Sequence, residues 1–204
     1  MVKWERITQA LQHIHCWGTA GISFASQMEI SLFVKLEAPL LQRLQISFFE
    51  IVDNERARPY FPISQLKTPR LRHFFVYGFS LDPSPLSRLL SLYLIEVHLL
   101  SVNQFLSGLH NNPKLHTLEM VDCDFIDGTI DDRKDISRVH LEQLAELRLD
   151  SNAPTILDVL CTPNCFNYSF DAGEHSAAGE LLVQSVIGEG ERAILLQHYL
   201  SKYC

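Results

Sequence analysis

Leu115-His116-Thr117-Leu118-Glu119-Met120-Val121-Asp122-Cys123-Asp124-Phe125 carries the architecture of this chain. Apolar residues stand at the first, fourth, sixth and eleventh places, with Cys at the ninth. Leu118 and Met120 alternate with Thr117, Glu119 and Val121, the period of a short strand with one face in a core. The same apolar spacing occurs in Leu41, Leu44, Ile46 and Ile51, in Leu71, Phe74, Val76 and Leu81, and in Leu89, Leu92, Leu94 and Leu99. A fifth copy, Leu144, Leu147, Leu149 and Asn152, puts Pro154 where the last apolar residue belongs. Degenerate copies start at Leu11 (with Ile14 and Cys16) and at Cys165 (with Tyr168 and Phe170). With 47% hydrophobic residues, roughly one window in twenty matches four apolar positions by chance. The spacing of the copies therefore weighs more than any single match. First residues fall at 11, 41, 71, 89, 115, 144 and 165, in uneven steps between 18 and 30 residues.

The segments between the copies read as returns. Ser26–Leu36 sets Met28, Leu32 and Leu36 on one stripe, and Val102–Leu109 does the same with Val102, Phe105, Leu106 and Leu109. Ala153–Cys161 groups Ile156, Leu157 and Leu160 and tolerates Pro154 in its first turn. Proline precedes three of the strands, in Ala38-Pro39-Leu40, Thr68-Pro69-Arg70 and Asn112-Pro113-Lys114. There it stops a helix and removes a donor the ladder does not yet need. Asp122–Asp135, with Gly128 and six aspartates, reads as a loop insertion, and Ser176–Cys204 reads as two helical pieces parted at Gly188 and Gly190.

The pattern L-x-x-L-x-L-x-x-C-x-L resembles the leucine-rich repeat. Thr68-Pro69-Arg70-Leu71-Arg72-His73-Phe74 and Asn112-Pro113-Lys114-Leu115-His116-Thr117-Leu118 resemble lines of the divergent fungal F-box proteins of that repeat class. The resemblance runs from Leu11 to Phe170. It implies an α/β solenoid of about six to seven divergent repeats, with a curved parallel sheet and irregular helices on the convex side. Residues 1–175 would form the solenoid and 176–204 a last repeat or helical cap. It also implies the substrate-recognition region of a ubiquitin-ligase adaptor. Family members bind Skp1 through an F-box module, for which the ten residues before Leu11 leave no room, so a Skp1 partner is expected only if an F-box lies upstream.

Composition narrows the function. The 204 residues carry 17 Lys and Arg against 24 Asp and Glu, a net charge of −7. Non-specific nucleic-acid binding needs a basic footprint, and anionic membranes favour basic surfaces, so neither partner is expected. Leu86–Leu109 is broken by Arg88, Glu96, His98 and Asn103 and does not read as a membrane span. Five cysteines, an odd number without a secretory signal, point to reduced thiols and a cytoplasmic or nuclear setting. Cys161 and Cys165 would share a helix face but lack two further zinc ligands. Asp122, Asp124, Asp127 and Gly128 miss calcium-loop spacing by one residue, with Arg133 where the bidentate Glu belongs. His13 and His15 on one strand face lack a third ligand. Gly188-Glu189-Gly190 is no phosphate cradle, and no nucleophile elbow occurs. No cofactor, metal site or catalytic group is expected. The alternatives are an α/β enzyme with an ordinary parallel sheet and a truncated repeat fragment.

A binding face follows from the register. The middle strand residues facing away from the core would be His15, Gln45, Phe75, Tyr93, Glu119, Arg148 and Ser169. Two places on stand Trp17, Ser47, Tyr77, Ile95, Val121, Asp150 and Asp171. The first half of this concave face is aromatic and weakly basic, with Arg43 and His73 beside Phe75, Tyr77 and Tyr93; the second half is acidic. A protein partner is expected there, anchored on Phe75, Tyr77 and Tyr93, with Glu119 and Arg148 matching its charge.

Overall fold

The computed structural model describes residues 13–48, 58–127, 138–150, 156 and 159–171. Along them the chain forms β1 (Thr19–Phe24), α1 (Gln27–Phe33), β2 (Arg43–Phe48), β3 (Tyr60–Phe61), β4 (His73–Tyr77), β5 (Ser80–Leu81), β6 (Ser91–Ile95) and β7 (His98–Ser101). There follow α2 (Val102–His110), β8 (Thr117–Val121), β9 (Asp124–Asp127), β10 (Val139–His140), β11 (Glu146–Asp150), β12 (Leu160–Cys161) and β13 (Asn167–Asp171). The protein is α/β, with parallel pairing throughout. The main sheet takes its seven strands in chain order, β1-β2-β4-β6-β8-β11-β13. A second sheet, β3-β5-β7-β9, collects one strand from each of four successive passes, and β10 pairs with β12.

The copies align as the apolar spacing requires. Leu44, Phe74, Leu92, Leu118 and Leu147 stand in register, as do Ile46, Val76, Leu94, Met120 and Leu149. All ten are buried, and so are the leading Leu41, Leu71, Leu89, Leu115 and Leu144. They join second-sheet residues such as Phe61, Leu81 and Leu99 in one core. Three passes, β4 to β5, β6 to β7 and β8 to β9, turn between the sheets through a left-handed residue: Gly78 (φ 76°), Glu96 (φ 51°) and Asp122 (φ 52°). The next residue in each, Phe79, Val97 or Cys123, is buried.

Caps follow local chemistry. In α1 the Glu29 N–H donates to Ser26 Oγ (3.4 Å), and the Ala25 N–H donates to the Glu29 carboxylate (2.7 Å). In α2 the Gln104 N–H donates to Ser101 Oγ (3.2 Å). Both sites have the Ser-x-x-Glu/Gln pattern that satisfies orphan donors at a helix start. Asn112, 2% exposed, ties three segments together. It accepts from the Leu89 N–H (2.6 Å) and donates to the carbonyls of Leu86 (3.0 Å) and Gly108 (2.6 Å).

Several expectations need correction. The first main-sheet strand is Thr19–Phe24, with Gly21 opposite Gln45; Ile14–Cys16 is a 3-10 turn. Its inward residues are Ala20, Ile22 and Phe24, too small or too late for a search on leucines from Leu11. The α1 stripe is rotated. Ile30, Phe33 and Val34 are buried, while Met28 and Leu32 are 62% and 50% exposed, because β1 delivers the helix with its other side to the core. The start of the expected loop, Asp124–Asp127, is strand β9. Cys161 lies in strand β12, so it shares no helix face with Cys165. Most of the expected 153–161 helix, the remainder of the acidic loop and residues 172–204 lie outside the described residues.

Candidate protein-binding face

Strand alternation sets which side chains leave the core. With Phe74 and Val76 buried, His73, Phe75 and Tyr77 must point to the other face of the sheet. The register then brings Gln45, Phe75, Tyr93, Glu119, Arg148 and Ser169 into one row across six strands. Arg43 stands opposite His73 in the row beside it, and Tyr77 opposite Ile95 in the row beyond. All seven residues singled out from the sequence lie on this one face. Gly21 and Ser23 occupy the first-strand places expected for His15 and Trp17.

The face has two chemistries. Phe75 and Tyr93, both partly exposed, have ring centroids 6.0 Å apart and planes tilted by 33°. On β1 and β2 the same face carries the small residues Gly21, Ser23 and Ser47, and the two serine hydroxyls bond to each other at 2.8 Å. His73 Nδ1 lies 3.2 Å from Ser91 Oγ. Burial and the neighbouring Arg43 charge hold its imidazole below the ordinary histidine range, so the ring is neutral at physiological pH. Tyr77 Oη donates to Glu96 Oε1 (2.9 Å), and that acceptor raises the phenol's pKa. Glu96 also lies 3.8 Å from Arg58. Further along, Arg148 Nη1 donates to Glu119 Oε1 at 3.0 Å, and Asp150 accepts from the Asp122 N–H.

Glu96 and Arg58 were missed because neither belongs to the strand pattern. Glu96 occupies the left-handed turn, and Arg58 precedes a strand too short to show a period. The remaining sequence candidates are not gathered into a site. Asp124 lies 3.5 Å from His98 Nε2. The His13 and His15 rings are 6.4 Å apart in their turn. Cys16, Cys123, Cys161 and Cys165 are free thiols, and burial pushes the Cys123 thiol up to about 12. Among the described residues no three His, Cys, Asp or Glu side chains are placed to hold a metal ion. None of their helices is long and apolar enough to cross a membrane.

No family model, no curated protein and no solved structure matches this chain.

Proposed function

We infer that the chain is a leucine-rich repeat solenoid that works by binding a protein on its outward sheet face, as the substrate-recognition region of an F-box-like ubiquitin-ligase adaptor. The observation that carries the binding reading is the Phe75–Tyr93 pair, two partly exposed rings packed together across neighbouring strands on the outward sheet face. Parallel strands in chain order and the recurrent Leu-x-x-Leu-x-Leu burial support the repeat assignment. In this reading the function is recognition without catalysis, in the cytoplasm or nucleus. Phe75, Tyr77 and Tyr93 anchor the partner, Glu119 and Arg148 select it by charge, and Arg43 and His73 complete the face.

The test is recovery of proteins from soluble extract by the full chain beside a Phe75→Ala, Tyr77→Ala, Tyr93→Ala variant, with purified Skp1 assayed separately. The reading expects a partner retained by the wild type and lost by the variant. Identical recovery by both sinks the face, and lack of Skp1 binding by the native gene product sinks the ligase role.

A further inference from the structure

The edge where the main-sheet strands begin carries a second surface. Arg70, Arg88 and Lys114 each stand three residues before a strand, β4, β6 and β8 respectively. Backbone bonds lock these approaches side by side: the Leu90 N–H donates to Arg72 O (2.6 Å) and the His116 N–H to Leu90 O (2.8 Å). Neighbouring strands lie roughly 4.8 Å apart, so the three cations form a ladder about 10 Å long. All three are exposed. The ion pairs of the described residues engage Arg58, Lys67, His98 and Arg148, and among these residues no carboxylate pairs with Arg70, Arg88 or Lys114. Like charges at this spacing repel, and the chain as a whole is acidic.

Between the first two rungs opens a pocket of about 270 Å³. Ile63, Leu66, Leu71, Leu86 and Leu89 line it together with the polar Thr68, Ser87 and Lys67, the last of these paired with Glu37 at 2.6 Å. Pro69 and Leu71, which flank Arg70, and Ser87 and Leu89, which flank Arg88, line it, so the pocket opens between the two loops that carry these cations. The opposite edge, where the strands end, holds Glu96, Asp122, Asp124 and Asp150. A long polyanion would meet that field, whereas a short acidic segment confined to the ladder would not.

We propose that this edge binds a carboxylate-rich segment of a partner protein that inserts one apolar side chain into the pocket between the Arg70 and Arg88 loops. Three extended residues span the ladder, so a run of acids flanking one apolar residue matches it. The site is separate from the Phe75–Tyr93 face, and each can fail without the other.

The probe is a labelled peptide of about nine residues, Leu at its centre and Glu elsewhere, read by fluorescence anisotropy with the full chain. Binding is expected at about 50 mM salt and weakens several-fold at about 300 mM. Arg70→Glu, Arg88→Glu, Lys114→Glu together raise Kd at least about tenfold. Ser87→Trp, which fills the pocket from an exposed position, raises it about fivefold. Circular dichroism establishes that both variants are folded. The proposal is overturned if the folded wild type does not bind the peptide, or if a Lys version binds equally. It is also overturned if the charge-reversed chain keeps its affinity, or if an oligonucleotide of the same charge binds as tightly. Sedimentation showing that the ladder instead holds a second copy of the chain overturns it as well.

Discussion

The first passes of the chain and the later ones fill equivalent core positions with different matter. At the beginning, Phe24 of β1, Phe33 of α1, Phe61 of β3, Phe74 of β4 and Phe79 form a ring cluster, with centroids 5.4–6.5 Å apart. At the equivalent places later passes hold smaller residues: Leu92 and Leu118 in register with Phe74, Leu99 with Phe61 by way of Leu81, and Val97 and Cys123 where Phe79 stands. The difference goes with what closes the far side. β3 and β5 are two residues long and α1 adds Phe33; later, α2 supplies Phe105, Leu106 and Leu109, with Phe105 against Phe125. Rings bring area and edge-to-face geometry, while aliphatic layers are more tolerant of exchange. Spacing therefore specifies the strand, and the return segment specifies the size of the residue that fills it.

The sharpest way to break this comparison is to remove one filler from each region. Phe61 is fully buried and touches four other rings. Phe61→Ala is expected to cost about 4 kcal/mol in denaturant unfolding, against about 3 kcal/mol for Leu118→Ala. Equal losses would remove the distinction. Next comes the polar tie under α2. Asn112→Ala orphans the Leu89 N–H and two carbonyls, at about 2–3 kcal/mol in the same assay.

The left-handed turns give a smaller effect with opposite outcomes at equivalent places. A Cβ on Gly78 would lie 2.9 Å from the Phe48 carbonyl oxygen, and its φ is +76°. Gly78→Ala should cost about 1–2 kcal/mol. Asp122→Gly removes left-handed strain and keeps the N–H bonded to Asp150, so it should stay within about 1 kcal/mol of wild type.

The smallest effect is on pH dependence. Burial lowers the pKa of His73 and of His98 below the ordinary 6.5; Arg43 adds to this at His73, while at His98 Asp124 opposes it and Arg58 adds to it. A depressed histidine binds its proton better in the unfolded chain. Its contribution to stability is thus present above about 6.5 and is lost as pH falls below it. His73→Gln with His98→Gln should flatten the fall in urea midpoint between about pH 7 and pH 5. An unchanged slope would show that these rings do not carry it.

The leading apolar residues at 41, 71, 89, 115 and 144, the period-two strands behind them and the row Gln45-Phe75-Tyr93-Glu119-Arg148-Ser169 were all legible in the chain. Burial of one strand face forces alternation, and a one-residue slip would expose the whole apolar set. The first strand was not legible, because Ala20 and Ile22 occupy places where leucine was sought. Nor were β3, β5 and β12, since two residues display no period. The orientation of α1 depended on where β1 delivers it, a fact about packing that its own stripe of Met28, Leu32 and Leu36 misreports. The ladder of Arg70, Arg88 and Lys114 is scattered over 45 positions in the chain. Only hydrogen bonding between successive strands brings it into line. Composition and periodicity along one dimension thus determined which residues turn inward, whereas the sites formed between passes came from pairing and packing across residues distant in sequence.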